Sequence, residues 1–296
     1  MDSQKLERQI DEFITENRQN IIDSLGRLVA VRSVEDPATA GPGAPFGKGP
    51  RQALDTALAI AQELGLATNS GEGYLGWAEL PGRQKEYLAT IAHVDVVPEG
   101  EGWTGDPYTL REKEGWLLGR GVTDDKGPGV LCLYAAKFFK ELGEEQPYTL
   151  RILLGCNEET GMKDVGHYLA HNPQPLFCFT PDADFPVCNG EKGHKDGSFV
   201  SPVLRGNLVE FAGGIANNVV PDRATCLVKA DAAGLADTAR VTVTAENGMA
   251  RLHAKGVGGH AAMPQNSVNA IGLLVNYLLE NNLATPEESR CLQLLQ

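Results

Sequence analysis

The run YLATIAHVDVVP at residues 87–98 climbs through apolar side chains and stops abruptly in His93-Val94-Asp95. Alternation along a strand sends His93 and Asp95 to one face and Val94 to the other. The carboxylate can then take one imidazole N–H while the second ring nitrogen faces a metal ion. A strand-end His beside an Asp is also an ordinary surface pair, so the pair gains meaning only from repetition downstream. That repetition is present. GRGVTDDKGP sets Asp124 and Asp125 on a glycine-bracketed loop before an amphipathic pattern that starts near Gly127. Such a loop either aims a carboxylate outward or caps the helix, and Lys126 there balances two aspartates. The apolar run YTLRILLGC ends in Asn157-Glu158-Glu159-Thr160-Gly161. Adjacent carboxylates repel unless a cation or proton lies between them or their tasks differ. Residues 175–180 are strand-like and are followed by Pro181-Asp182-Ala183-Asp184. In open α/β sheets, chemistry gathers at the carboxyl ends of the strands, so His93, Asp124, Glu158, Glu159 and Asp182 can converge. One His with several carboxylates and no thiolate is a mixed N/O donor set suited to zinc, manganese or cobalt. The GxxxxGK[ST] spacing is missing around Asp124, which rejects a nucleotide-binding loop.

The elements that must hold these residues follow from periodicity. Leu6, Ile10, Phe13, Ile14, Ile21, Leu25, Leu28 and Val29 recur at helical spacing, with Asn17 to Asn20 a candidate break into two helices. Glycine and proline crowd residues 37–50 into a loop, and residues 51–66 resume a helical pattern. Residues 74–80, a Pro81-Gly82 turn and residues 86–92 are expected to form a hairpin whose second strand runs into His93. A short hairpin is expected around Glu112 to Gly115. After Gly190 the character changes: residues 199–212 and 224–231 are expected as strands, 241–255 as a hairpin and 268–279 as a core helix. His260 lies in a Gly-rich turn, where a helix-entry cap is its plain alternative. The expectation is an α/β fold with a three-layer catalytic domain on a mostly parallel sheet, residues 1–190, and a smaller α+β lid, residues 191–296.

A formal charge of −13 without a local basic cluster disfavours nucleic acid and anionic membrane surfaces, and suits divalent cations. The six cysteines form no CxxC pair and several lie in apolar runs, as expected of reduced, structural thiols in a cytoplasmic protein. The charged N-terminus lacks the apolar core of a signal peptide, and no run approaches the roughly 18 residues of a spanning helix.

Taken in order, HVDVVP, GRGVTDDKGP, NEETG, TPDADFPV, NNVVPD and GGHAAMP resemble metallopeptidase family 20. This di-metal group contains aminoacylases, carboxypeptidase G and succinyl-diaminopimelate desuccinylase. The chain resembles most its bacterial PepV-type, manganese- or zinc-dependent dipeptidases, along its whole length. The resemblance implies two divalent ions, Zn2+, Mn2+ or Co2+. His93 and Asp182 would bind the first ion and Glu159 the second. Asp124 would bridge both through a strained cis peptide to Asp125, Asp95 would orient His93, and Glu158 would be the general base. Asn218 and His260 would contact substrate from the lid, His260 stabilising the oxyanion. The implied reaction is hydrolysis of small peptides with a free N-terminus. Deacylation or desuccinylation of N-acyl amino acids on the same scaffold, or an inactive truncated remnant, are the alternatives. Members of this group continue past the lid, back into the catalytic domain, and there supply a last metal-binding His and further strands, while an Arg of the lid grips the substrate carboxylate. Residues 280–296 supply neither of those two side chains, so the expectation is an incomplete C-terminus, a fragment of a longer polypeptide or a decayed homologue.

Overall fold

The computed structural model describes residues 3–296 apart from 101, 185, 191–192, 194–196, 202 and 218, and describes His260 by its backbone alone. The chain divides into two compact units, Met1–Cys188 and Asn189–Gln296.

The first unit opens with α1 (Ser3–Val29), whose buried residues Phe13, Asn17, Ser24, Leu25, Leu28 and Val29 fall on one stripe. It is one unbroken helix, and the candidate break at Asn17 to Asn20 does not occur. Asn17 is buried, but its amide donates to the Phe13 carbonyl at 2.9 Å and its oxygen accepts from Lys137 at 3.3 Å, so the polar side chain is satisfied without a break. Next come α2 (Lys48–Glu63), β1 (Ala67–Asn69), β2 (Leu75–Leu80), β3 (Gln84–His93), β4 (Arg111–Lys113) and β5 (Trp116–Leu118). Strands β4 and β5 form the expected short hairpin. The unit is completed by α3 (Lys126–Glu141), β6 (Tyr148–Gly155), α4 (Lys163–His171) and β7 (Phe177–Phe179).

Among the described residues, the central sheet has the order β1-β2-β6-β3-β7. Strands β6 and β7 each run parallel to β3, while β2 is antiparallel to both β1 and β6, so four of the five strands point the same way. The hairpin expected across Pro81-Gly82 does not form, because β6 lies between β2 and β3. The connection instead crosses the entrance of β6, where Arg83 and Gln84 donate their amides to Gln146 and Pro147. The apolar run of β3 is thereby paired on both edges, which suits a strand buried in a parallel sheet. Side chains from α1, α2 and α3 pack with Ala78, Ile152 and Leu154 on one face. Tyr168 and Val165 of α4 pack with Leu75, Tyr87, Ala89 and Leu153 on the other, giving three layers. Each fully buried aliphatic side chain of this core contributes about 1.5–3 kcal/mol.

The second unit comprises β8 (Leu208–Gly213), β9 (Val219–Val220), β10 (Arg223–Val228), β11 (Val241–Glu246), β12 (Met249–Lys255), β13 (Gly259–His260), α5 (Ala270–Glu280) and α6 (Pro286–Gln293). An antiparallel sheet of order β11-β12-β10-β8 buries Ala224, Cys226, Val228, Ala250, Leu252 and Ala254 against Leu274 and Leu278 of α5. Alternate residues of β12, Arg251, His253 and Lys255, belong to its other face. The strand expected from residue 199 begins only at Leu208. Phe199 and Val200 are 97% and 93% exposed and have no sheet partner, and strand-forming side chains make a strand only where a neighbour pairs with them. Among the described residues, no helix is long and apolar enough to cross a membrane.

Candidate active site

The parallel register that sets His93 of β3 opposite Gly155 of β6 brings the end of one strand beside the turn that follows the other. On the opposite edge of β3, β7 pairs Phe179 with Thr90, and the chain then needs only three residues to reach Asp182. The loop before α3 delivers Asp124. Gly127 makes that loop possible, because a Cβ there would stand 2.0 Å from the Val122 carbonyl. Lys126 does not pair with the neighbouring aspartates as expected. It is fully buried, and its Nζ donates to the carbonyls of Leu28 at 3.0 Å and Val31 at 2.8 Å, capping the end of α1. Burial brings its pKa down to about 7.

His93 is only 3% exposed. Its Nδ1 lies 3.0 Å from the Asp95 main-chain carbonyl and 3.4 Å from the Asp95 carboxylate. The orienting contact is therefore made first by the backbone. The Asp95 carboxylate accepts the amides of Glu158 at 3.3 Å and Glu159 at 3.2 Å. His93 Nε2 faces Asp124 at 2.9 Å, Asp182 at 3.5 Å and Glu158 at 3.8 Å. Burial by itself would lower the imidazole pKa, but hydrogen bonds to Asp124, Asp182 and Asp95 hold it well above the ordinary value.

Two triads share this imidazole. His93, Asp124 and Glu159 each offer a ligand atom, all within 4.8 Å of one another, and so do His93, Asp125 and Asp182. In the sequence Asp125 stands out only as the far side of the Asp124–Asp125 peptide, which is cis. Asp125 occupies the N-cap position of α3 without making a capping bond. Its Oδ2 instead accepts the His93 amide at 3.2 Å, while its buried Oδ1 has no hydrogen-bond partner. A second acidic residue at a helix entrance ordinarily signals a cap, which conceals this geometry. Burial, reinforced by Asp182, pushes the Asp125 pKa up to about 8. Burial and the charge of Asp124 push Glu159 up to about 7. Glu158, half-buried, is raised chiefly by burial, with His93 opposing the shift. The neighbourhood thus gathers carboxylates around one imidazole, raises the pKa of three of them, and orphans a buried oxygen. That donor set fits a divalent metal ion. Asn218 lies outside the described residues, and for His260 the structure gives only the backbone pairing of β13 with β9.

Residues 89–280, which contain both triads, match the model of peptidase family M20/M25/M40. The chain belongs to this family. YtjP of Bacillus subtilis (strain 168), provisionally named a dipeptidase, is 33% identical over 286 residues, covering 91% of this chain and 62% of its own length. The Beta-Ala-Xaa dipeptidase of Lactobacillus delbrueckii subsp. lactis is 33% identical over 282 residues, covering 90% and 60%. The chain thus spans about three-fifths of the length of the curated relatives it matches. Among solved structures, human carnosine dipeptidase 1 is 24% identical with a TM-score of 0.46, covering 60% of this chain and 41% of its own.

Proposed function

We propose that this family member is a cytoplasmic metal-dependent dipeptidase that hydrolyses small peptides with a free N-terminus, using two divalent ions drawn from zinc, manganese or cobalt. The observation that carries this reading is the pair of triads sharing His93, with Glu158 beside them and in neither. The dipeptidase name of the Lactobacillus relative supports the substrate class. Free cysteines throughout support a reducing compartment.

His93 and Asp182 would hold one ion and Glu159 the other, with Asp124 between them and Asp125 in reach of the first. Bound divalent ions supply Lewis acidity, which polarises the scissile carbonyl and lowers the pKa of the attacking water. The Glu158 carboxylate takes the proton from that water and returns it to the leaving amine, work worth about 10²–10⁴-fold. Residues 1–190 would form the catalytic domain and 191–296 a lid. From the lid, Asn218 would contact substrate and His260 would donate to the oxyanion.

The test is to strip the purified protein with a chelator, restore zinc or manganese, and compare β-alanyl and α-dipeptides with N-acetyl and N-succinyl amino acids. Dipeptide turnover that disappears with the metal and returns with it is the expected result. Turnover confined to N-acyl amino acids would overturn the reading in favour of a deacylase on the same scaffold.

A further inference from the structure

Four consecutive main-chain amides in the turn just after β6 are each taken by a buried carboxylate. Cys156 and Asn157 donate to Asp164 Oδ2 at 2.7 and 3.1 Å, and Glu158 and Glu159 donate to Asp95 Oδ1 and Oδ2 at 3.3 and 3.2 Å. Both aspartates are 1% exposed. The remaining oxygen of Asp164, Oδ1, accepts from Val165 at 2.8 Å. A carboxylate in the first turn of a helix ordinarily serves that helix, yet Asp164 gives one oxygen to the turn that follows β6. Gly155 is what admits it: a Cβ at residue 155 would lie 2.7 Å from Asp164 Oδ2. The turn also closes on itself, since the Asn157 carbonyl accepts from Met162 at 2.7 Å and the Asn157 side-chain oxygen from Lys163 at 3.2 Å.

We propose that Asp164 is a positioning residue for the Glu158–Glu159 pair, fixing with Asp95 the backbone from which neighbouring carboxylates are sent to different tasks. This rests on the roles given to the two glutamates above. Consecutive side chains diverge in a set way only if the torsions between them are fixed. Here the amides on both sides of the Asn157–Glu158 junction are anchored to groups from two other places in the chain, the β3 end and the start of α4. If the Asp164 anchor is released, the turn can rotate. Glu158 can then swing onto a cation and lose its basicity, while Glu159 leaves its ligand position. Asp95 alone holds only the second half of the turn.

The test uses Asp164→Asn, which keeps the shape and one acceptor oxygen, with Ile60→Ala in α2 as a control that removes buried packing remote from the turn. Co2+ serves as the metal probe, followed by its visible absorption and by titration. Asp164→Asn should weaken Co2+ binding by about 10–100-fold, the usual cost of losing an outer partner of a metal site, and should shift the visible bands. At saturating metal, kcat on dipeptides should fall with KM little changed. The control should lower the melting temperature and leave Co2+ affinity and spectrum as in the unsubstituted protein. Equal losses of Co2+ affinity in both variants would show that Asp164 acts through stability alone, and unchanged Co2+ affinity and spectrum in Asp164→Asn would also overturn the proposal. If the unsubstituted protein hydrolyses no peptide, the dipeptidase reading fails, while the Co2+ titration still decides the role of Asp164.

Discussion

Asp124 Oδ1 stands 2.9 Å from His93 Nε2, although one residue belongs to the loop before α3 and the other closes β3. With Nδ1 turned to Asp95, this face of the imidazole and the Asp124 carboxylate share one small volume with Glu159. In the proposed site this carboxylate lies between the two ions, so removing it should affect both.

Asp124→Ala should therefore remove both ions together. Metal analysis of the dialysed variant should find neither retained at the level of the unsubstituted protein. Retention of one tightly held ion would show that Asp124 serves a single site.

The metal-free protein should lose stability as pH rises from about 5 to about 7. Glu159 and Asp125 have folded-state pKa values pushed up to about 7 and about 8, above the usual carboxylate value near 4. In that window the folded chain binds more protons than the unfolded chain, so the slope of stability against pH is negative. His93, raised by its carboxylate partners, acts in the same direction above about 6.5. Lys126, lowered to about 7, works the opposite way at higher pH, which sets the upper limit of the window. Urea midpoints measured across this range without metal should fall, and saturating zinc or manganese should flatten the trend. A metal-free midpoint that rises from pH 5 to pH 7 would contradict the assignment.

Lys126→Met should destabilise the fold. The substitution keeps the length of the side chain but strips the buried carbonyls of Leu28 and Val31 of their shared donor. An unsatisfied buried acceptor costs about 1–3 kcal/mol, so the urea midpoint should drop clearly. An unchanged midpoint would mean that water replaces the ammonium.

Much of this candidate site is legible because His93, Glu158 and Asp182 each terminate or follow an apolar run, parallel strands expose such endings on one edge, and Asp124 stands on a glycine-bracketed loop just before a helix. What stayed hidden depended on contacts distant in sequence. The Pro81-Gly82 turn signals a hairpin locally, but the pairing of β3 with β6 joins residues some sixty positions apart and is decided by burial of both strands. Asp125 stands where a helix cap is ordinarily found, and its turn toward the His93 amide requires the packing of α3 on β3. Asp164 sat among ordinary polar residues of a short amphipathic helix, and only the missing Cβ of Gly155 gives its carboxylate a place. Lys126 looked like a counter-charge because the carbonyls it caps lie nearly a hundred residues earlier.

The most direct test of the central claim is Glu158→Gln, assayed together with its metal content. Glu158 lies beside both triads and belongs to neither, so the variant should keep the ions of the unsubstituted protein while kcat on dipeptides falls by about 10²–10⁴-fold. Loss of a metal ion from the variant, or turnover close to that of the unsubstituted protein, would contradict the assignment of Glu158 as the base.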